Sequence, residues 1–110
     1  MKHLAALSVA IAALMTSTST EAITVVAGPT CGEWVQARQG QGSRPTAINE
    51  FWLLGYLSGL AVATGIDAIQ GTDSASIELW MDNWCRANPL KRVSAGGVEL
   101  FRELRGQKGL

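Results

Sequence analysis

Histidine is almost missing from this sequence, since His3 is the only one in 110 residues. His3 also lies in an N-terminal segment with the features of a secretory signal, so the exported chain would contain none. Without histidine there is no Ser-His-Asp or Cys-His nucleophile system and no zinc site built on imidazole. We therefore predict no catalytic residues, no metal ligands and no cofactor, and we expect a protein that is not an enzyme and acts by binding.

Neither sign of charge predominates, because nine Lys/Arg balance nine Asp/Glu. Lys2 and Glu21 belong to the N-terminal segment, which leaves eight of each over residues 23–110. A net charge near zero argues against nucleic acid or an anionic membrane surface as the main partner. The carboxylates could in principle form a paired glycosidase site, but charges on solvated helix surfaces are the simpler interpretation.

The first 22 residues have the three zones of a signal peptide. Lys2 supplies a positive charge, residues 4–15 are apolar apart from Ser8, and a Thr/Ser run leads to small residues suited to cleavage. The apolar stretch is too short to span a bilayer. We predict cleavage after Ala22, with Ala27 as second choice, and a periplasmic protein with no stable membrane insertion. An uncleaved N-terminal anchor helix is the alternative.

Only two cysteines are present, Cys31 and Cys85. In an exported protein an even pair is most simply a disulfide, because the compartment allows one to persist. Residues 23–110 are enough for one domain, in which an apolar core alone gives marginal stability. On the chain-entropy model, closing the loop between the two cysteines stabilises the fold by roughly 4 kcal/mol.

Alternation of apolar and polar residues, typical of half-buried strands, is rare, and apolar residues recur instead at helical spacing. We predict an all-α domain of four helices closed by the disulfide, with an ordered core of about residues 30–104. Residues 23–27 are predicted to form an extended arm. The predicted helices are about 31–38, 47–64 after Thr46 as cap, 74–87 and 89–106.

Capping residues set these boundaries. Gly65 is expected to end the second helix in the left-handed conformation. A Gly96–Gly97 pair in the fourth helix either admits a close neighbour or marks a bend. The expected N-terminal caps are, in chain order, Thr30 with Glu33, Thr46, Asp73 or Ser74, and Asn88 followed by Pro89 as first helical residue.

Charge is absent from Phe51 to Ile66. A helix of this length spans about 24 Å, short of the roughly 30 Å hydrocarbon core, so we favour a central helix wrapped by its neighbours. Gly55, Gly59 and Ala63 recur on one face, where we expect another helix of the same monomer to cross closely. The same spacing occurs in membrane helix dimers. Packing of this face against a second copy of the chain, in a homodimer, is the alternative.

Four tryptophans are many for so short a domain. Burial in the core is the default for each large aromatic side chain. The alternative is an apolar face that binds a client chain or a single protein partner. The candidate residues of that face are Phe51, Trp52, Tyr56, Trp80, Met81 and Trp84.

Two segments around the cysteines resemble a known family. Residues 30–34 (TCGEW) and 84–89 (WCRANP) are similar to the two cysteine motifs of the HdeA/HdeB periplasmic acid-stress chaperones, Cys-x-Glu-aromatic and aromatic-Cys-x-x-Asn-Pro. The resemblance covers roughly residues 30–104. It implies a small helical, single-disulfide periplasmic fold, dimeric at neutral pH in the best-known members, that loosens in acid and holds unfolding clients. Residues 51–59 are more apolar and glycine-rich than is typical of that family.

Charge balance offers a separate argument for a response to acid. Without histidine, the charge of residues 23–110 should change mainly as carboxylates protonate near pH ~4. Paired carboxylates then stop stabilising the fold, and the remaining positive charges repel one another. Nearly any balanced small protein behaves this way. A similar layout also occurs in periplasmic immunity proteins of type VI secretion, so the alternative function is an immunity or inhibitor protein that binds one toxin or enzyme.

Overall fold

The computed structural model describes residues 23–110, and the predicted signal peptide, residues 1–22, lies outside the described residues. The described chain forms four α-helices and no strand, which confirms the all-α fold. Helices α1 and α4 each pack against both α2 and α3 around a common core. No helix within 23–110 is long and apolar enough to cross a membrane. The helices are α1 (Cys31–Arg38), α2 (Thr46–Thr64), α3 (Ser74–Ala87) and α4 (Val93–Gln107).

Helix α1 begins with the predicted capping box. The Thr30 hydroxyl accepts a hydrogen bond from the Glu33 backbone N–H at 3.1 Å, and the Glu33 carboxylate accepts one from the Thr30 N–H at 2.8 Å. These bonds satisfy two N–H groups that a helix start otherwise leaves unpaired. The box fixes α1 with Cys31 and Trp34 facing the core, where both are fully buried.

Helix α2 ends as predicted and begins at the residue expected to be its cap, one position earlier than expected. Gly65 follows the helix with φ of 68°, the left-handed conformation that glycine adopts without strain. Pro45 occupies the cap position, and Thr46 is the first helical residue. The Thr46 hydroxyl donates to the Glu50 carboxylate at 3.2 Å, so it serves a side chain one turn on and does not cap the helix.

Helix α3 begins at the predicted cap and α4 does not. Asp73 accepts a hydrogen bond from the Ser76 N–H at 2.7 Å, which makes it the cap of α3. The prediction that Asn88 caps α4 and Pro89 opens it is wrong, because α4 starts at Val93. The Asn88 amide instead donates to the Trp84 carbonyl at 2.9 Å and closes the end of α3.

Backbone pairing explains the late start of α4. The Cys31 N–H donates to the Lys91 carbonyl at 2.9 Å, and the Val93 N–H donates to the Pro29 carbonyl at 3.0 Å. These two bonds hold residues 91–93 extended against residues 29–31. The chain can therefore turn into α4 only after this pairing ends.

The predicted disulfide is present between Cys31 and Cys85, whose Cα atoms lie 4.9 Å apart. Both residues are fully buried. The bond joins the start of α1 to the end of α3 and thereby encloses the loop that contains α2. It lies in a core whose other fully buried side chains include Trp34, Leu53, Leu57, Met81 and Val93.

The Gly96–Gly97 pair admits close neighbours and leaves α4 continuous. A Cβ on Gly96 would lie 2.6 Å from the Trp84 ring and 2.8 Å from the Met81 sulfur, and a Cβ on Gly97 would lie 2.9 Å from the Tyr56 ring. Such distances are far below van der Waals contact. These two glycines allow α3 and α2 to approach α4 closely.

Candidate functional site

An open apolar groove runs along α2 beside α4. Its volume is about 800 Å³, and the extended arm forms one of its walls. None of its lining residues is charged. Helix α2 has no charged residue after Glu50, and the one lining residue from α4 is Val98. The residues that line this groove are Ile23, Thr24, Val25, Val26, Phe51, Trp52, Gly55, Tyr56, Leu60, Ala63 and Val98.

Two stacked aromatic rings form the floor of the groove. The rings of Trp52 and Tyr56 lie nearly parallel, with centroids 5.0 Å apart, and both residues are half-buried. The Trp52 indole N–H donates to the Val26 carbonyl at 3.1 Å. Gly28 lies against the same indole, where a Cβ would come within 2.7 Å of a ring carbon. The floor and the arm therefore meet at Trp52.

The expectation that Gly55 and Gly59 accommodate a crossing helix of the same monomer is wrong. Among the described residues, no atom lies within 4 Å of a Cβ built on either glycine, and both are exposed. The reason is that α4 packs on the other side of α2, through Leu53 and Tyr56 against Gly97. The face with Gly55 and Gly59 is open, and whether another copy of the chain covers it stays a prediction.

Large apolar side chains flank this open face of α2. Phe51 is 72% exposed and Val62 is 85% exposed, and Ile48 is half exposed. Scattered exposed apolar residues are normal on a soluble protein, whereas a continuous uncharged helix face beside an apolar groove is a feature of binding surfaces. Phe51, Trp52 and Tyr56 all line the groove, and their binding of a partner stays a prediction.

The other three candidate residues lie elsewhere. Trp80 and Trp84 stack on α3 with centroids 6.2 Å apart, and the Trp80 N–H donates to Glu103 at 2.6 Å. Trp84 is packed over Gly96, with the Lys91 ammonium 5.7 Å from its ring. The prediction for Met81 needs correction, because its side chain is fully buried beside Gly96 and belongs to the core.

A charge cluster joins α1, α2 and α3 through Arg38. Its guanidinium donates to both carboxylate oxygens of Asp82, each at 2.9 Å, and to Glu50 at 2.7 Å, while Glu78 lies 3.9 Å away. Asp82 is 7% exposed and also accepts from the buried Trp34 indole at 2.8 Å. One cation thus faces three carboxylates, and its bonds connect three helices.

The cluster raises the pKa of two of its members, which favours the charged form of Arg38 and disfavours the charged form of Glu78. Hydrogen bonding from Arg38 to Asp82 raises the pKa of the guanidinium, which stays charged at all accessible pH values. The pKa of Glu78 is also raised, first by partial burial and then by repulsion from Glu50, effects that the more distant Arg38 opposes only in part. Glu78 is the carboxylate that is least well stabilised in its charged form.

The carboxyl groups at two helix starts have a lowered pKa, in contrast to Glu78. Backbone hydrogen bonding at Thr30 lowers the pKa of Glu33, and backbone hydrogen bonding from Ser76 lowers the pKa of Asp73. A carboxyl group with a lowered pKa in the folded state stabilises the fold above its unfolded pKa, and this stabilisation is lost as the pH falls through the folded value. The starts of α1 and α3 therefore weaken in acid.

The members of the charge cluster were not predicted from the sequence. Their spacing carried a signal, because Trp34 and Arg38 are four residues apart on α1, and Glu78 and Asp82 are four apart on α3, so each pair lies on one helix face. Only the packing of α1 against α3 brings the two faces together. Within residues 23–110, no three His, Cys, Asp or Glu side chains are placed to hold a metal ion.

No family model matches the chain, and neither the curated proteins nor the solved structures include a match to it. Fold and site together describe an all-α domain of four helices, closed by one disulfide, with an uncharged groove along its most apolar helix. The arrangement can bind an apolar partner.

Proposed function

We propose that this protein is a periplasmic chaperone-like binding protein of the HdeA/HdeB type that protects unfolding client proteins in acid. The observation that carries the proposal is the groove along α2, which aromatic and aliphatic side chains line and to which no charged residue contributes. Unfolding clients expose apolar segments, and an apolar surface buries such segments favourably. In this proposal the protein has no catalytic activity and binds protein clients.

The charge cluster supports a response to acid. Carboxyl side chains as a class lose their charge well below pH 4. Arg38 would then keep its positive charge without charged partners, at the point where α1, α2 and α3 are joined. Loss of the cap contributions of Glu33 and Asp73 acts in the same direction. The helices would loosen and expose more of α2.

An aggregation assay tests the function. The full chain is expressed with its N-terminal segment, and the processed protein is purified and mixed with citrate synthase at about pH 2–3, where carboxyl groups are protonated. We expect light scattering on neutralisation to fall when the protein is in several-fold molar excess. No protection at that excess would contradict the proposal. Co-purification of one stoichiometric partner at neutral pH, without protection in acid, would support the immunity or inhibitor alternative.

A further inference from the structure

We propose that the groove binds an extended, β-branched segment of another polypeptide, which adds alongside the arm Ile23–Val26 and lies over Trp52 and Tyr56. The inference deepens the proposed function by naming the kind of segment that is bound, and it applies at neutral pH. The occupant is identified by what already lies there: the arm is itself an extended segment of Ile, Thr, Val and Val.

The arm borders the groove without filling it. With the arm in place, about 800 Å³ remains open between Val25 and the side chains of α2 and α4. Ile23 is 91% exposed and Val26 is 75% exposed, so most of the arm's surface has no partner among residues 23–110. An incoming segment therefore has room beside the arm and does not need to displace it.

The backbone edge of the arm has no partner strand among the described residues. Within residues 23–110, the one hydrogen bond of residues 23–26 to the folded body is that from the Trp52 indole to the Val26 carbonyl. An extended segment with free N–H and C=O groups is a template for a further strand, and β-branched residues favour this conformation. Main-chain bonds would then give affinity, and the groove would select apolar side chains.

The chain beyond the arm is fixed firmly enough to hold that edge in place. Gly28 and Pro29 are buried, and the Arg92 guanidinium donates to the Gly28 carbonyl. The Val93 N–H donates to the Pro29 carbonyl. The arm therefore leaves the body of the protein at a defined point, directly over the floor formed by Trp52 and Tyr56.

The groove can be blocked without disturbing the fold. Gly55 lies in it, and among the described residues no atom would contact an added Cβ, so Gly55→Glu introduces a charge into the site and leaves the core unchanged. Gly106 on α4 is an equally open helical glycine outside the groove. Gly106→Glu is therefore a matched control with the same change of charge and helix propensity.

Binding is measured at pH 7 by fluorescence anisotropy with a fluorescein-labelled peptide of alternating Val and Thr that carries a lysine at each end. A second peptide has the same composition with a central proline, which cannot complete a ladder. We expect the first peptide to bind and the second to bind at least about tenfold more weakly. Gly55→Glu should weaken binding at least about tenfold, because burying an unpaired charge is costly. Gly106→Glu should not change it.

Amide hydrogen exchange of the arm identifies the mode of binding. Pairing beside the arm predicts slower exchange of amides 24–26 when the peptide is bound, and removal of residues 23–26 should weaken binding. Faster exchange, or tighter binding after this removal, would show displacement of the arm and overturn the proposal. Equal binding of the two peptides, or binding of laurate in place of either peptide, would show a site for apolar compounds in general and would also overturn it.

The aggregation assay in acid and the peptide-binding assay at pH 7 test the proposed function and the proposed occupant of the groove independently. Peptide binding at pH 7 without protection of citrate synthase in acid would leave the groove assignment standing and remove the chaperone function. Protection in acid that Gly55→Glu does not reduce, together with no peptide binding at pH 7, would leave the function standing and remove the assignment.

Discussion

At the scale of single residues, the first prediction compares Gly96, which is tightly packed, with Gly59, which has open space beside it. Gly96→Ala should destabilise the protein by about 1–3 kcal/mol, because the new methyl group would overlap the Trp84 ring and the Met81 sulfur. Gly59→Ala should instead stabilise it by about 0.5–1 kcal/mol, since alanine favours the helix and nothing described lies near the added Cβ. Urea unfolding at pH 7 measures both.

Equal effects of the two glycine substitutions would contradict the close packing of α4. The sequence pattern favoured the opposite arrangement, with a neighbouring helix packed on Gly55 and Gly59. Spacing of small residues shows which ones share a helix face, and it contains no information about which face a neighbour covers. That choice depends on Trp84 and Tyr56, which come from two other helices and lie over Gly96 and Gly97.

Glu78 provides a prediction about pH. Its pKa is raised by burial and by the nearby Glu50, so the folded protein is more stable when Glu78 is neutral. The contribution of Glu78 is fully present below its unfolded pKa and is lost as the pH rises through the folded value. Glu78→Gln should therefore raise the free energy of unfolding at pH 7.

The advantage of Glu78→Gln should vanish on acidification, because wild-type Glu78 is then protonated in both the folded and the unfolded state. Urea unfolding between about pH 3 and pH 7 covers the ordinary carboxyl range and measures this. A loss of stability at pH 7 would show that attraction to Arg38 outweighs burial and repulsion.

At the scale of elements, local signals predicted three of the four helices closely. The Thr30–Glu33 box, the Asp73 cap and Gly65 each act within one turn of their own helix, so sequence alone determines them. The start of α4 could not be found this way. It depends on pairing of residues 91–93 with residues 29–31, which are distant in sequence.

The connection between α1 and α3 gives a prediction at this scale. Asp82→Asn keeps an acceptor for the Trp34 indole and removes the charge that Arg38 contacts with two hydrogen bonds. Asp82 is largely buried and Arg38 is partly exposed, so we expect a loss of about 2 kcal/mol, typical of a hydrogen bond to a charged group. Thermal and urea unfolding measure it.

Glu99→Gln is the matched control for Asp82→Asn. It removes the same charge from an ion pair with Arg102, in which both side chains are more than half exposed. Exposed pairs contribute about 0–1 kcal/mol. If Asp82→Asn costs no more than Glu99→Gln, the cluster does not hold α1 to α3.

At the scale of the whole molecule, the exposed face of α2 was the feature that sequence could not predict. A helix without charge over most of its length has no polar side that marks solvent, so its composition suggested burial on all sides. The other three helices of residues 23–110 do not cover this face. Helices α1 and α4 pack on α2, and Phe51, Gly55 and Val62 are left exposed.

The disulfide gives the prediction that concerns the molecule as a whole. Cys31 and Cys85 are 54 residues apart, and they enclose α2 and the loops on either side of it. On the chain-entropy model, replacing both by serine should cost about 4 kcal/mol at neutral pH, measured by urea unfolding. That is a large part of the stability expected for a domain of this size.

In acid the disulfide should matter for function as well as stability. If the helices loosen, the bond still joins the ends of α1 and α3, so the opened chain stays compact while α2 is exposed. Protection of citrate synthase at about pH 2–3 should then be lost in the Cys31→Ser/Cys85→Ser protein, where carboxyl charges no longer hold the helices. Gly96→Ala is the control, because it destabilises the fold with the disulfide intact. Unchanged protection in the double variant would show that the tethered state is not the active one.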